Sequence, residues 1–179
     1  GKIGSHVDVA ACTERGIAVA EGSGSPIAPA ELTWALIMAG MRRLPQYISN
    51  LKHGAWQQSG LKNSTMPVNF GVGMVLHQKT LGIWGFGKIG QLVAAYAKAF
   101  GMHVVIWGSE ASRTLAQQQG FESAPSREAF FEQADVLSLH LRLNEATHHI
   151  VKADDLARMK PTAMLANTSR AELIDPDVL

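Results

Sequence analysis

From Thr80 onward short apolar runs alternate with longer amphipathic ones, and this alternation limits the fold more than any other feature of the sequence. Thr80 to Trp84, Val104 to Trp107, Val136 to Leu139 and Ala163 to Ala166 are almost wholly apolar. A strand covered on both faces reads as such a run, and parallel neighbours need a helix to cross between them. Helices are expected at Gln91 to Phe100, Ser112 to Gln119, Arg127 to Gln133 and Ala153 to Met159, with a brief strand at Phe121 to Ser123. The predicted fold class is α/β, a doubly wound parallel sheet.

Where the first strand hands over to its helix the chain reads Gly85-Phe86-Gly87-Lys88-Ile89-Gly90, a GxGxxG loop. Gly85 permits the tight turn, Gly87 lets backbone approach a pyrophosphate, and Gly90 lets helix pack closely on strand. The helix N-terminus then offers unpaired N–H groups and partial positive charge to phosphates. A glycine-rich structural turn is the plainer reading of those residues alone. Flanked by strand, helix and a second strand, the loop predicts dinucleotide binding.

A ribose-binding Asp or Glu is expected about 20 residues on, at the end of the second strand. The chain has Trp107-Gly108-Ser109-Glu110 there, so Gly108 stands where the carboxylate would be. Glu110 can reach for the ribose hydroxyls, whereas Ser109 with Arg113 would suit a 2′-phosphate. The first arrangement would suit NAD and the second NADP, and Arg113 also reads as an ordinary solvated helix residue.

The first part of the chain is organised differently. Val7 to Arg15 reads as a helix closed by Gly16, followed by a strand at Ile17 to Ala20 and a Gly- and Ser-rich linker to Pro26. From Pro29 an apolar stripe of Trp34, Ile37, Met41, Leu44, Ile48 and Leu51 has helical spacing. Pro45 predicts two consecutive helices, with Gly54 as the stop. The stripe reads as core packing or as a subunit interface. Residues 55 to 79 read as mostly loop.

Composition removes several function classes. A net charge of +1 over 179 residues gives no footprint for a phosphate backbone, so nucleic acid is not the expected partner. The longest apolar candidate, Leu32 to Met41, is too short to span a bilayer. One cysteine, Cys12, allows no internal disulfide or CxxC metal pair and fits a reducing, cytoplasmic setting. No metal is expected.

Three segments in order carry a resemblance: TLGIWGFGKIG at Thr80 to Gly90, ADVLSLHLRLNEATHHIV at Ala134 to Val151, and MLANTSRAELID at Met164 to Asp175. Together they resemble the D-isomer-specific 2-hydroxyacid dehydrogenases. HVDVAACTERGIAV, at His6 to Val19, resembles the end of that family's flavodoxin-like substrate domain. The resemblance implies two parts: residues 1–24 as the remnant of a substrate domain, and residues 25–179 as a dinucleotide-binding domain. It also implies a homodimer through residues 29–51.

By the same resemblance Arg170 is the active-site arginine. A guanidinium suits a 2-keto or 2-hydroxy acid, because its permanent charge and planar fork pair with a carboxylate and polarise the neighbouring carbonyl. A structural arginine after a strand is the plainer reading. Lys88 and Ile89 are implied to offer backbone to the pyrophosphate, and Leu141, Thr168 and Ser169 to line the adenosine and nicotinamide sides.

Ala171 and Arg142 depart from the family's usual Gly and Pro. The family's Glu and His, which complete proton transfer, lie C-terminal to the arginine and are expected beyond residue 179, so the chain reads as a cofactor-binding fragment that does not turn over. His140 matches a position the family uses structurally. A dinucleotide-sensing regulator of the corepressor kind shares these motifs, and a methyltransferase would leave the Arg170 segment unexplained.

Overall fold

The computed structural model describes residues 7–20, 22, 24–54 and 73–178. The elements run α1 (Val9–Glu14), α2 (Ile27–Met41), α3 (Leu44–Lys52), β1 (Thr80–Trp84), α4 (Lys88–Ala99), β2 (His103–Trp107), α5 (Glu110–Gln118), β3 (Glu122–Ser123), α6 (Arg127–Gln133), β4 (Val136–Leu139), α7 (Ala153–Ala157) and β5 (Met164–Asn167). Two short 3-10 turns follow, Ala171–Leu173 and Pro176–Val178.

The strands form one sheet in the order β3-β2-β1-β4-β5, with every pairing parallel. β1 lies at the centre, Leu81 opposite Val104 on one side and Val136 on the other. Alternate side chains go to opposite layers, as the two-residue period of a strand requires. Leu81, Ile83, Val104, Ile106 and Val136 pack with Ile37 and Met41 of α2 and Val93, Ala94 and Ala97 of α4. Trp84, Val105, Leu137 and Leu139 pack with Phe130 and Phe131 of α6. Both faces are therefore covered, which is why the strand sequences are apolar throughout.

On the α6 face the aromatic rings set the spacing. Trp84 meets Phe130 and Phe131 edge-on, at 6.0 Å and 5.7 Å between centroids. Phe130 lies so close to the sheet that a Cβ on Gly82 would stand 2.9 Å from its ring. Arg127 braces the same face: its guanidinium lies 5.0 Å from the Trp84 ring centroid and is paired with Asp155, whose Oδ2 also accepts from Lys152 N. That network ties α6 and α7 to β1.

The elements differ from the sequence-based expectation in three instructive places. No strand forms at Ile17 to Ala20, because no neighbouring strand among the described residues offers a ladder. α4 starts at Lys88 rather than Gln91, since Gly87 is already its N-cap. α5 starts at Glu110, where Ser109 caps it by accepting from Ser112 N.

The break between α2 and α3 falls at Arg43, which adopts a left-handed φ of 53°, with Pro45 in the first turn of α3. The apolar stripe divides there. Ile37 and Met41 are buried, and Trp34 packs against Tyr96 and Phe100 of α4. Leu44, Ile48 and Leu51 are exposed, as are Leu32 and Leu36 on α2. Of residues 55 to 79, expected as loop, residues 55–72 lie outside the described ones, and residues 73–79 form no helix or strand. No helix among the described residues is long and apolar enough to cross a membrane.

Candidate dinucleotide site

The glycine loop sits where the strand order reverses, between the carboxyl ends of β1, β2 and β4. Gly85 has φ of 99°, and its N–H donates to Trp107 O at 2.9 Å. A Cβ there would stand 2.7 Å from His140 O. Gly90 is tighter still, since a Cβ on it would lie 2.3 Å from Gly85 O. These two glycines are required by the protein's own packing. Gly87 is different: its backbone is extended, and a Cβ would meet nothing within 4 Å. It borders the open cleft.

α4 begins at that cleft without a side-chain cap. The first backbone N–H groups of a helix have no intrahelical acceptor, so those of Lys88, Ile89 and Gly90 suit an anion there. Gln91 steadies the loop from behind, its Nε2 donating to Phe86 O at 3.2 Å and its Oε1 accepting from Gln119 Nε2 at 3.1 Å. The residues present fit a dinucleotide pyrophosphate.

At the end of β2, Gly108 has φ of 149° and lies beside the loop, its Cβ position 3.6 Å from Gly85 N. No carboxylate branches from it. Arg113, one turn into α5, stacks its guanidinium 5.0 Å from the Trp107 ring centroid. Its Nε is buried without a hydrogen-bond partner. Arg113 and Glu110 line an open groove of about 350 Å³ with Thr114, Gln117 and Ser123. Ser109 and Glu110 are both exposed.

The β4 and β5 ends form the other wall. Leu141 follows β4, and its Cδ2 would be 3.2 Å from a Cβ on Gly85. Thr168, Ser169 and Arg170 follow β5 directly. Ser169 Oγ donates to Leu139 O at 2.9 Å, which ties the two strand ends together. Arg170 is exposed, and its Nη1 donates to Ser169 O at 2.9 Å. The residues singled out in the sequence thus gather along one carboxyl edge, with Ser109 and Arg113 at the β2 end and Arg170 at the β5 end.

His140 lies at this edge, its Nε2 2.9 Å from Ser138 Oγ. Burial disfavours the imidazolium and pushes its pKa down to about 4. A ring held neutral in this way suits support of the glycine turn rather than proton delivery at neutral pH. Two contributors gave little sign in the sequence. Gln91 reads as a routine helix residue, and Thr33, which is fully buried in α2, reads as one polar residue in an apolar stripe. Among the described residues no three His, Cys, Asp or Glu side chains gather as a metal site.

A parallel sheet in this order with a glycine loop at its switch point defines a dinucleotide-binding domain. The chain belongs to the D-isomer specific 2-hydroxyacid dehydrogenases, residues 34–179 matching the family's NAD binding domain. The cofactor class is therefore a nicotinamide dinucleotide.

Among curated relatives, the chain is 36% identical over 175 residues to the D-3-phosphoglycerate dehydrogenase of Methanocaldococcus jannaschii, covering 97% of this chain and 32% of that protein. It is 37% identical over 175 residues to the glyoxylate reductase of Aeropyrum pernix, covering 97% and 51%. Among solved structures it resembles phosphoglycerate oxidoreductase from Vibrio cholerae, with 50% identity, a TM-score of 0.91 and coverage of 99% and 54%. Salmonella D-lactate dehydrogenase follows at 30% identity and a TM-score of 0.81, covering 96% and 49%. The chain spans about half the length of these solved structures.

The glycines separate packing from binding. Gly87→Ala is expected to change stability by no more than about 1 kcal/mol, the scale of an N-cap change, while lowering dinucleotide affinity about ten-fold. Gly90→Ala is expected to cost about 1–3 kcal/mol through overpacking and to lose binding with it. Thermal melting beside dinucleotide titration checks both.

His140 gives a pH dependence. Its folded pKa of about 4 lies below its ordinary 6.5, so the unfolded chain takes up the proton first as pH falls. Stability is expected to be complete above pH 6.5 and to decline towards pH 4, by about 3 kcal/mol. Denaturant unfolding across that range, compared with His140→Gln, should show a shallower decline in the variant.

Proposed function

We propose that the protein carrying this chain is a nicotinamide-dependent oxidoreductase acting on the CH–OH group of D-2-hydroxy acids, reversibly reducing 2-keto acids. The observation that carries this reading is an exposed Arg170 immediately after β5, at the carboxyl edge that also holds the glycine loop. Bound there, the dinucleotide supplies or accepts hydride. Arg170 would hold the substrate carboxylate through its planar fork, polarise the carbonyl and stabilise the charge that develops on its oxygen. A proton source is also needed, and we assign it to the Glu and His that the family resemblance puts outside these residues. Residues 1–179 alone are expected to bind dinucleotide weakly or not at all and to show no turnover.

Residues 1–24 belong, in this reading, to the substrate domain and residues 25–179 to the dinucleotide domain. It is supported by α1, which has no buried residue. Family habit supports NAD. The missing carboxylate at Gly108, the hydroxyl of Ser109 and the orphaned Nε of Arg113 support NADP instead. One experiment addresses activity and cofactor together, using the full-length protein with NADH and NADPH on a panel of 2-keto acids. Arg170→Lys is expected to lower kcat/KM about a hundred-fold or more, because a point charge does not replace the fork. If the 2′-phosphate is held at Arg113, Arg113→Ala lowers NADPH affinity about ten-fold and leaves NADH within about two-fold. Reduction of no 2-keto acid would sink the activity reading.

We further propose a homodimer through residues 29–51 and a cytoplasmic location without a nucleic-acid or membrane partner. Leu32, Leu36, Leu44, Ile48 and Leu51 are all exposed on that stretch, and an apolar patch of this kind marks an interaction surface. Sedimentation of the full-length protein is expected to give a dimer, and Leu36→Asp a monomer. The lone Cys12 is consistent with a reducing compartment.

A further inference from the structure

The buried face of α2 is Ala30, Thr33, Ile37 and Met41, and Thr33 is its one hydroxyl. Thr33 is wholly inaccessible to solvent. Its Oγ1 donates to Pro29 O at 2.8 Å and lies 2.7 Å from Thr168 Oγ1. A threonine has one hydroxyl proton, and that of Thr33 is committed to Pro29, so Thr168 must be the donor across this contact. The bond joins α2 to the first residue after β5, two positions before Arg170.

The rest of that loop is also held by side chains. Asn167 Oδ1 accepts from Ser169 N at 3.0 Å, and its Nδ2 donates to Arg170 O at 2.8 Å. Ser169 Oγ reaches across to Leu139 O at 2.9 Å. The loop is therefore tied to β4 on one side and to α2 on the other. α2 is in turn set firmly on β5, since a Cβ on Gly40 would come within 2.7 Å of Met164 Cε. Arg170 makes no ion pair among the described residues, and its guanidinium bonds only to the carbonyl of its own neighbour. Its aim is consequently set by the backbone beneath it.

We propose that Thr33 is a positioning residue for Arg170: its buried hydroxyl holds Thr168 and so fixes the loop from which the arginine reaches substrate. This rests on the dehydrogenase reading given above. Small displacements of a group that orients substrate are costly in rate, which is why a buried bond far from the reacting atoms is worth a helix position otherwise filled by an aliphatic side chain.

The test uses the full-length protein with Thr33→Val, which keeps the shape and loses the hydroxyl, and Thr33→Ser, which keeps the hydroxyl. Thr33→Val is expected to raise the KM for a 2-keto acid about five-fold or more while leaving dinucleotide Kd within about two-fold. Thr33→Ser is expected to restore the KM. Amide exchange of the segment 167–172 should be about five-fold faster in Thr33→Val alone. Should that variant not fold, Thr168→Val breaks the same bond from the loop side and should give the same exchange result. Unchanged KM and exchange would overturn the proposal, as would a dinucleotide Kd that rises in step with KM, or a serine variant that fails to restore. If the unaltered protein reduces no 2-keto acid the dehydrogenase reading falls, and exchange by itself decides whether Thr33 fixes the loop.

Discussion

The carbonyl oxygen of Gly85 stands where a side chain on Gly90 would begin, only 2.3 Å from the Cβ position. This approach lets α4 start directly above the end of β1 and aim its uncapped N-terminus at the cleft. Moving the helix outward to admit one methyl group would also move Val93, Ala94 and Ala97 off the sheet, and they are fully buried. Binding geometry and core packing thus depend on one backbone contact. Gly85 is constrained from its other side by His140, so the turn is clamped between two strand ends.

The parallel sheet explains why so few residues must be specialised. Every strand delivers its carboxyl end to the same edge, so the segments after β1, β2, β4 and β5 meet there whatever their separation in sequence. The strands themselves need only be apolar, and the two layers of core hold them at fixed spacing. Chemistry is confined to short loops whose conformations are fixed by bonds such as Ser169 to Leu139 and Gly85 to Trp107. Such loops can change a side chain, as with Gly108 in place of a carboxylate, without disturbing the sheet.

Much of this was legible in the sequence for a physical reason. A doubly covered strand cannot carry charge, so the runs at Thr80, Val104 and Val136 stand out, and only glycine satisfies the contacts at Gly85 and Gly90. The first strand, the loop and the first helix were readable together because each constrains the next. Arg170 was found by resemblance rather than by spacing. The segment Ile17 to Ala20 misled because a strand is a property of a pair, and no ladder partner lies beside it among the described residues. The stripe from Trp34 to Leu51 was legible only as an apolar face, since periodicity does not say what covers it: Ile37 and Met41 lie in the core, whereas Leu44, Ile48 and Leu51 are exposed. Thr33 was silent because one threonine in an apolar helix carries no sign of a partner 135 positions away.

α2 brings these strands of argument together, for it does different work on different faces. One face packs Trp34 against Tyr96 and Phe100, another buries Thr33 beside the arginine loop, and a third leaves Leu32 and Leu36 to solvent. A packed helix moves as a unit rather than deforming residue by residue. Whatever shifts α2 as a body therefore acts on Thr168 through a single short hydrogen bond and on β5 through the close approach of Gly40 to Met164. The exposed leucines and the hydroxyl that holds the arginine loop thus sit on the same helix. That placement follows from using one helix both to close the core and to carry an apolar surface.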